Sequence, residues 1–294
     1  MPWAALIVVY LVWGSTYLGI RVAVATIPPY LMTGFRYIVA GVLLFALQWL
    51  TAKTKPALPG RRELLQIAVV AVLLLVVGNG LLCLAETRVE SGTSALLLAS
   101  TPIFMVLLDS LRRRRAPHAA AIAGIALGTA GIATLVGKGA GHADPIFAGI
   151  ILIAALSWAA GSVYVRGRAY GPLTASLEMM CGGLLCSVIA VAIGETAHFR
   201  AQSVEPASLW GLLWLITGGA MLGYSAFAYA VRTLPTATVA TYGYVNPIVA
   251  VLLGAAVLRE PLTWNVLAGG AAVIVSVVLI LVGSRQRSQE CADL

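Results

Sequence analysis

At 294 residues, 60% hydrophobic and 10% charged, with mean hydropathy +0.95, the chain carries far fewer charges than the about 25% of an ordinary soluble domain. That composition excludes a soluble globular enzyme and predicts an integral membrane protein bathed in lipid bilayer. The net charge of +8 points to no nucleic-acid partner, because the basic residues sit in short gaps between apolar runs and form no face beside aromatics.

A bilayer-spanning helix needs about 20 mostly apolar residues, and ten stretches meet that need. They run roughly from Trp3 to Val24, Tyr30 to Thr51, Leu64 to Ala85, Thr93 to Leu111, Ala119 to Val136, Ile146 to Val165, Pro172 to Ile193, Ala207 to Ala230, Thr236 to Leu258 and Trp264 to Gly283. The predicted class is therefore all-α integral membrane with ten transmembrane helices. The first run has no basic n-region and no small-residue cleavage site after it, so it reads as a retained span and not a signal peptide. Cys83, Cys181, Cys186 and Cys291 show no pairing or metal-ligand spacing; the first three lie in apolar runs as small core residues. No metal or cofactor is expected.

Lysine and arginine set the orientation, since cytoplasmic loops carry an excess of them. With the N-terminus inside, thirteen fall on the inner side: Lys53, Lys55, Arg61, Arg62, Arg112 to Arg115, Arg166, Arg168, Arg232, Arg285 and Arg287. Six fall on the outer side: Arg88, Lys138, Arg200 and Arg259 in loops, with Arg21 and Arg36 at the outer ends of the first two spans. Both termini are thus expected in the cytoplasm, with residues 284–294 as a cytoplasmic tail. The Arg112 to Arg115 run reads as a topology anchor, with an anionic-lipid or partner patch as the sharper alternative.

An apolar segment with a central proline occurs twice, at Pro102 in SALLLASTPIFMVLL and Pro247 in TVATYGYVNPIVAVLL, and 247 − 102 = 145. The same offset relates Trp13 to Trp158, Arg21 to Arg166, Gly78 to Gly223, Ala85 to Ala230 and Ala123-Gly124 to Ala268-Gly269. Each half then holds five spans, and an odd number turns the second half upside down. The basic loops around Arg62 and Arg112 to Arg115 have poorly basic counterparts around Arg200 and Arg259, as inversion requires. The expected organisation is residues 1–137 as a first five-helix repeat and residues 146–283 as a second, inverted one.

Trp13 to Thr16 in the first span, Thr101-Pro102 and Asn246-Pro247 in spans four and nine, and Arg259-Glu260-Pro261-Leu262 before span ten resemble the drug/metabolite transporter superfamily. More narrowly, the chain is similar to EamA-type ten-helix exporters, and within them to the bacterial exporter of aromatic amino acids. The resemblance implies transport without catalysis, a bacterial inner-membrane location, and a central cavity lined by spans one, three, four, six, eight and nine. One departure stands out: the first repeat has Arg115-Ala116 where the second has Glu260-Pro261.

A mid-span proline removes an intrahelical hydrogen bond and frees backbone groups, which lipid tolerates only beside protein or a water-filled cavity. Pro102 and Pro247 are accordingly the expected hinges. Few charges lie at mid-depth: Glu86 and Glu260 fall at outer ends, Asp109 and Glu178 near inner ends, and the histidines in loops. Proton relays across the core and phosphate sites are disfavoured on that ground. The polar and aromatic residues near mid-depth are Trp13, Thr16 and Tyr17, Asn79, Trp158 and Ser162, Tyr224, and Tyr242, Tyr244 and Asn246. They suit a neutral or zwitterionic small-molecule substrate, whose ammonium would rest on an aromatic face. Trp3, Tyr30, Trp210, Trp214 and Trp264 read as interface anchors. Gly124, Gly128 and Gly131 are spaced for close helix packing. Span ten is the favoured partner, which leaves a monomer as the default, and a homodimer face is the alternative. An intramembrane enzyme, a channel and a lipid flippase of similar fold are the competing functions. No paired aspartates, nucleophile motif or filter repeat supports the first two.

Overall fold

A computed structural model describes residues 2–52, 59–114, 116–137, 142–165, 172–234 and 236–290. Lys53, Lys55, Arg115, Lys138, Arg166, Arg168 and Cys291 therefore lie outside the described residues, as does the end of the expected tail. Among the described residues the fold is helical, with an isolated bridge between Val136 and Ala143.

The main helices are α1 (Pro2–Ala23), α2 (Pro29–Thr51) and α3, which runs from Arg61–Val70 through Ala71–Asn79 to Gly80–Ala85. Next come α4 (Ser91–Leu98), α5 (Thr101–Arg113), α6 (Ala119–Leu135), α7 (Pro145–Val165) and α8 (Pro172–Ala192). The last are α9, from Pro206–Trp214 through Leu215–Leu222 to Gly223–Thr233, then α10 (Tyr242–Leu258) and α11 (Trp264–Glu290). Short helical turns occur at Glu195–His198, Ala201–Ser203 and Thr236–Val239. Of the ten expected spans, eight are long and apolar enough to cross a bilayer, counting α4 and α5 as one, and Ala119–Leu135 and Tyr242–Leu258 are shorter apolar helices.

Starts are set by local chemistry. Proline opens α2, α7, α8 and α9, where its fixed φ suits the first turn and its missing N–H costs nothing. Two starts are capped by carboxylates from far along the chain. Glu195 accepts from the amides of Tyr30 (3.3 Å) and Leu31 (2.8 Å) at the head of α2. Glu260 accepts from the Ser91 amide (2.7 Å), the Ser91 hydroxyl (2.8 Å) and the Gly92 amide (3.0 Å) at the head of α4. A negative group there meets orphan N–H donors and the positive end of the helix dipole. Arg259 turns the chain in the left-handed region at φ 57° so that Glu260 can reach back.

Helices α3 and α9 each carry a π-helical stretch, Ala71–Asn79 and Leu215–Leu222, which offsets the residues on either side of it. The predicted fourth and ninth spans are interrupted, but differently. Pro102 is the second residue of α5, after a break at Ala99 and Ser100, whereas Pro247 lies inside the continuous α10 and the break comes earlier, at Ala240 and Thr241. Hydroxyls back-bond at both breaks: Ser100 and Thr101 donate at 2.7 Å to the carbonyls of Leu97 and Leu98, and Thr241 donates to the carbonyl of Thr238.

Packing is close where glycine removes the side chain. On α6, an added Cβ on Gly131 would come within 2.8 Å of the Gly269 carbonyl of α11, and one on Gly124 within 2.9 Å of Ser276. The small-residue face of α6 is thus covered by α11, as expected for its packing partner. Helices α2 and α8 meet in the same way, with Gly34 against Ser187 and Gly183 against Ile38. The largest apolar core lies toward the end that carries Glu86 and Glu260. It joins Ile20, Val24, Met32, Leu82, Val89, Leu96, Ile151 and Leu215.

Candidate functional site

Trp13 is the centre of the best-defined aromatic group. Its ring centroid lies 5.0 Å from that of Phe227 on α9 and 5.4 Å from that of Tyr242 on α10, and those two lie 5.7 Å apart. The two contacts to Tyr242 are edge-to-face, the arrangement that aligns ring quadrupoles favourably. The Trp13 indole N–H donates at 3.1 Å to the carbonyl of Gly219, in the π-helical part of α9. Gly223, one turn on, is required by this contact, because a Cβ there would collide with the indole ring nitrogen.

Thr16, one turn along α1, meets the same spot: its methyl would lie 2.8 Å from a Cβ on Gly219. Tyr17 is half-buried and packs on the large core. On the other side, Trp158 of α7 lies against Gly78, where an added Cβ would be 3.0 Å from the indole. Asn79, next along the chain, is buried. Gly161 packs on Leu74, and the neighbouring Ser162 is half-buried. Tyr224 follows Gly223 and packs on a second core of Tyr37, Leu75 and Ile216. Tyr244 is half-buried in the first turn of α10. Asn246 and Pro247 are buried, and the Asn246 side-chain oxygen has no hydrogen-bond partner within the protein. The structure therefore unites Trp13, Thr16 and Tyr242, and brings Trp158 to the backbone beside Asn79. Phe227 belongs with the first group and was not anticipated.

The span-end tryptophans Trp3, Trp210 and Trp264 are exposed, as interface anchors should be. Tyr30 is not one of them. It is buried and packs on Val76, Cys186 and Ala190, with its ring over Gly80.

Sequence reasoning missed two charged residues. Arg36 is 5% exposed and Glu86 is fully buried. Seven residues past the first position of α2, Arg36 lies about 10 Å into the helix at 1.5 Å per residue, and not at its end. Its guanidinium carbon sits 4.7 Å from the centroid of the Tyr37 ring, and its Nη2 would be 3.4 Å from a Cβ on Gly219. Trp13, Thr16 and Arg36 thus converge on one glycine. Nε and Nη1 of Arg36 and both carboxylate oxygens of Glu86 have no hydrogen-bond partner within the protein. Arg21 donates to the Glu86 backbone carbonyl and leaves the carboxylate alone. Burial, then the neighbouring Glu260 carboxylate, pushes the Glu86 carboxyl well above the ordinary carboxylate range, against the opposing influence of Arg21 and Arg36. The available signal was a lone arginine inside an otherwise apolar span, which counting by topology assigned to the span's outer end.

A cleft of about 350 Å³ lies at the end of the bundle, lined by Thr26, Pro28, Gly194, Glu195, Phe199 and Arg200 among others. It sits between loops, and its one carboxylate already caps α2, so it is a surface feature apart from the aromatic group.

Comparison with known proteins gives a consistent result. The EamA-like transporter family profile matches residues 2–137 and 146–282. An uncharacterized inner membrane transporter of Escherichia coli K12, YedA, is 35% identical over 95% of this chain and 90% of its own length. A probable amino-acid metabolite efflux pump of Salmonella typhimurium is 24% identical over 96% of this chain and 95% of its own. One crystal structure superposes with TM-score 0.65 at 14% identity over 94% of this chain and 97% of that one, a likeness of fold.

Proposed function

Because the chain belongs to the EamA-like transporter family and is a membrane transporter, we propose that it exports small neutral or zwitterionic metabolites across the bacterial inner membrane, foremost amino acids with aromatic or other apolar side chains. The observation that carries the reading is the convergence of Trp13, Phe227 and Tyr242 beside Thr16 on the backbone of α9. Such a wall offers aromatic faces to an apolar side chain or an ammonium and a few polar groups to orient it. The named similarity of the Salmonella typhimurium protein to amino-acid metabolite efflux agrees with this substrate class.

The mechanism follows from an inverted pair of repeats, residues 1–137 and 146–283, that rock about the Pro102 and Pro247 segments. Reciprocal contacts support the pairing. Trp13 lies on Gly223 and Trp158 on Gly78, where 158 − 13 and 223 − 78 are both 145. Thr16 lies on Gly219 and Gly161 on Leu74, again with 161 − 16 and 219 − 74 equal to 145. Arg114 and Arg259, at φ 51° and 57°, end α5 and α10 in the same left-handed turn, and 259 − 114 is 145. The basic-residue pattern supports a cytoplasmic position for both termini.

Purified protein in proteoliposomes, assayed with labelled amino acids with and without a pH gradient, tests the reading. Accumulation of at least one apolar amino acid is expected. Movement of none of them rejects the substrate class, and movement of a lipid probe in their place turns the assignment to a flippase. Trp13→Ala and Trp158→Ala should each weaken transport at unchanged expression; unchanged rates would make both indoles packing residues.

A further inference from the structure

We propose that Glu86 is a proton-operated lock on one end of the transporter: neutral, it lets the core between the two halves close, and ionised, it holds that end open once water has entered. The lock rests on the rocking of the halves argued above. Glu86 caps the last turn of α3, its amide donating at 2.9 Å to the Leu82 carbonyl. It is fully buried, and neither carboxylate oxygen has a hydrogen-bond partner within the protein. Ala85 and Val89, on either side of it, belong to the largest apolar core. The first half gives that core Ile20, Met32 and Leu96, and the second half gives Ile151, Leu215 and Val266. The core is thus a seam between the halves, and halves that rock must part it at one stage of the cycle.

A carboxylate needs donors or water, and the closed seam gives Glu86 no donor from the protein. The groups around it act in both directions. Glu260, on the connection from α10 to α11, and the carbonyl end of α3 disfavour a negative charge. Arg21 on α1 and Arg36 on α2 favour one, but Arg21 bonds to the Glu86 backbone carbonyl and neither hydrogen-bonds the carboxylate oxygens. Tyr17 on α1 and Cys83 on α3 stand near it, and Glu90 at the head of α4 accepts from the Thr93 hydroxyl at 3.5 Å. Helices α7 and α11 bring apolar residues to the seam. The balance is set first by burial and holds the carboxyl towards its neutral form. Closure therefore takes up a proton and opening releases one. By linkage, each pH unit between the two ionisation ranges shifts the balance of the states by up to about tenfold, acid favouring the closed seam. The position 145 residues on is Val231, so the other end has no such lock.

The test needs no substrate. Cys83, fully buried in the same core, reports the opening of the seam. In the full chain in detergent, with Cys181, Cys186 and Cys291 replaced by alanine, its rate of modification by a charged methanethiosulfonate is followed from about pH 5 to about pH 9. The protein with Glu86 is compared with Glu86→Gln, which stays neutral. Thiol chemistry quickens with pH in both, so the readout is the ratio of their rates. That ratio should be close to one in acid and rise about fivefold or more toward alkaline pH. Glu86→Asp should restore the rise. A flat ratio, a falling ratio or a Cys83 that reacts in neither protein overturns the lock. So does a Glu86→Gln protein that does not fold, since a neutral side chain must be able to sit in the closed seam. A second arm measures phenylalanine transport in proteoliposomes with the pH changed on one side at a time. The wild type should respond to one side only, and Glu86→Gln should lose that response; a response that survives in the variant counts against the lock. If the wild type moves no phenylalanine, the amino-acid reading fails and the labelling alone decides the lock.

Discussion

Glu260 caps the helix that Ser91 begins, 169 residues earlier in the chain, through two backbone amides and a hydroxyl. Gly254 and Gly92 make the room: a Cβ on the first would collide with the carboxylate, and one on the second would stand 3.4 Å from it. Hydrogen bonds to a charged group contribute about 1.5–3 kcal/mol. Glu260→Ala should therefore destabilise the protein by about 2 kcal/mol, and Glu260→Gln by less, since one acceptor oxygen survives. Thermal unfolding in detergent checks the order. Equal stability of all three proteins would remove the cap from the account.

Gly223→Ala should displace Trp13, break its bond to Gly219 and slow transport. The loss is steric, so a second change that removes the indole edge, Trp13→Phe, should recover part of the activity of Gly223→Ala. Gly78→Ala, where the clash with Trp158 is milder at 3.0 Å, should cost less. Transport rates normalised to protein in the vesicles distinguish the cases, and independent effects of the two changes would show that the contact is not what matters.

Gly131→Leu forces a side chain into the seam between α6 and α11, where even a Cβ would come within 2.8 Å of the Gly269 carbonyl. Overpacking of this kind costs about 1–3 kcal/mol or more. The expected result is a sharp fall in folded yield, with Thr129→Leu, on the exposed side of α6, as the harmless control. Equal yields would place the seam elsewhere.

Glu86 gives stability a pH dependence of definite sign. Its carboxyl is raised in the folded state by burial and by Glu260, with Arg21 and Arg36 acting the other way. A raised acid contributes stability below its unfolded value and loses it as pH climbs through the folded one. As pH rises above the ordinary carboxylate range the Tm of the wild type should therefore fall, and Glu86→Gln should flatten the slope. A slope unchanged in the variant would assign the effect to another group.

The sequence carried the helical class and the family well, because both rest on long apolar runs and on local motifs. It carried Trp13, Thr16 and Tyr242 as a group only by depth, and depth is coarse. Phe227 escaped because a phenylalanine in an apolar span looks like any other core residue. Tyr30 was misread for the opposite reason: it does begin a helix, but Gly80 opens a slot for its ring that nothing in its own neighbourhood announces. The π-helical stretches could not be read at all. They shift which residues face the interior, so a helical wheel drawn through α3 or α9 fails beyond them. Arg36 was visible as a residue while its burial was hidden, since a topology count treats every arginine as a marker of a membrane face.

The Glu260 cap has a last consequence. If the two halves rock as proposed, identical halves would make the opening toward either side equal in energy. The second half offers a carboxylate at this point and the first half has Arg115-Ala116 instead, so this cap has no acidic counterpart at the 145-offset position. Were the Glu260 cap to open in one of the two states, a cap of about 2 kcal/mol would favour the capped state about 30-fold at equilibrium.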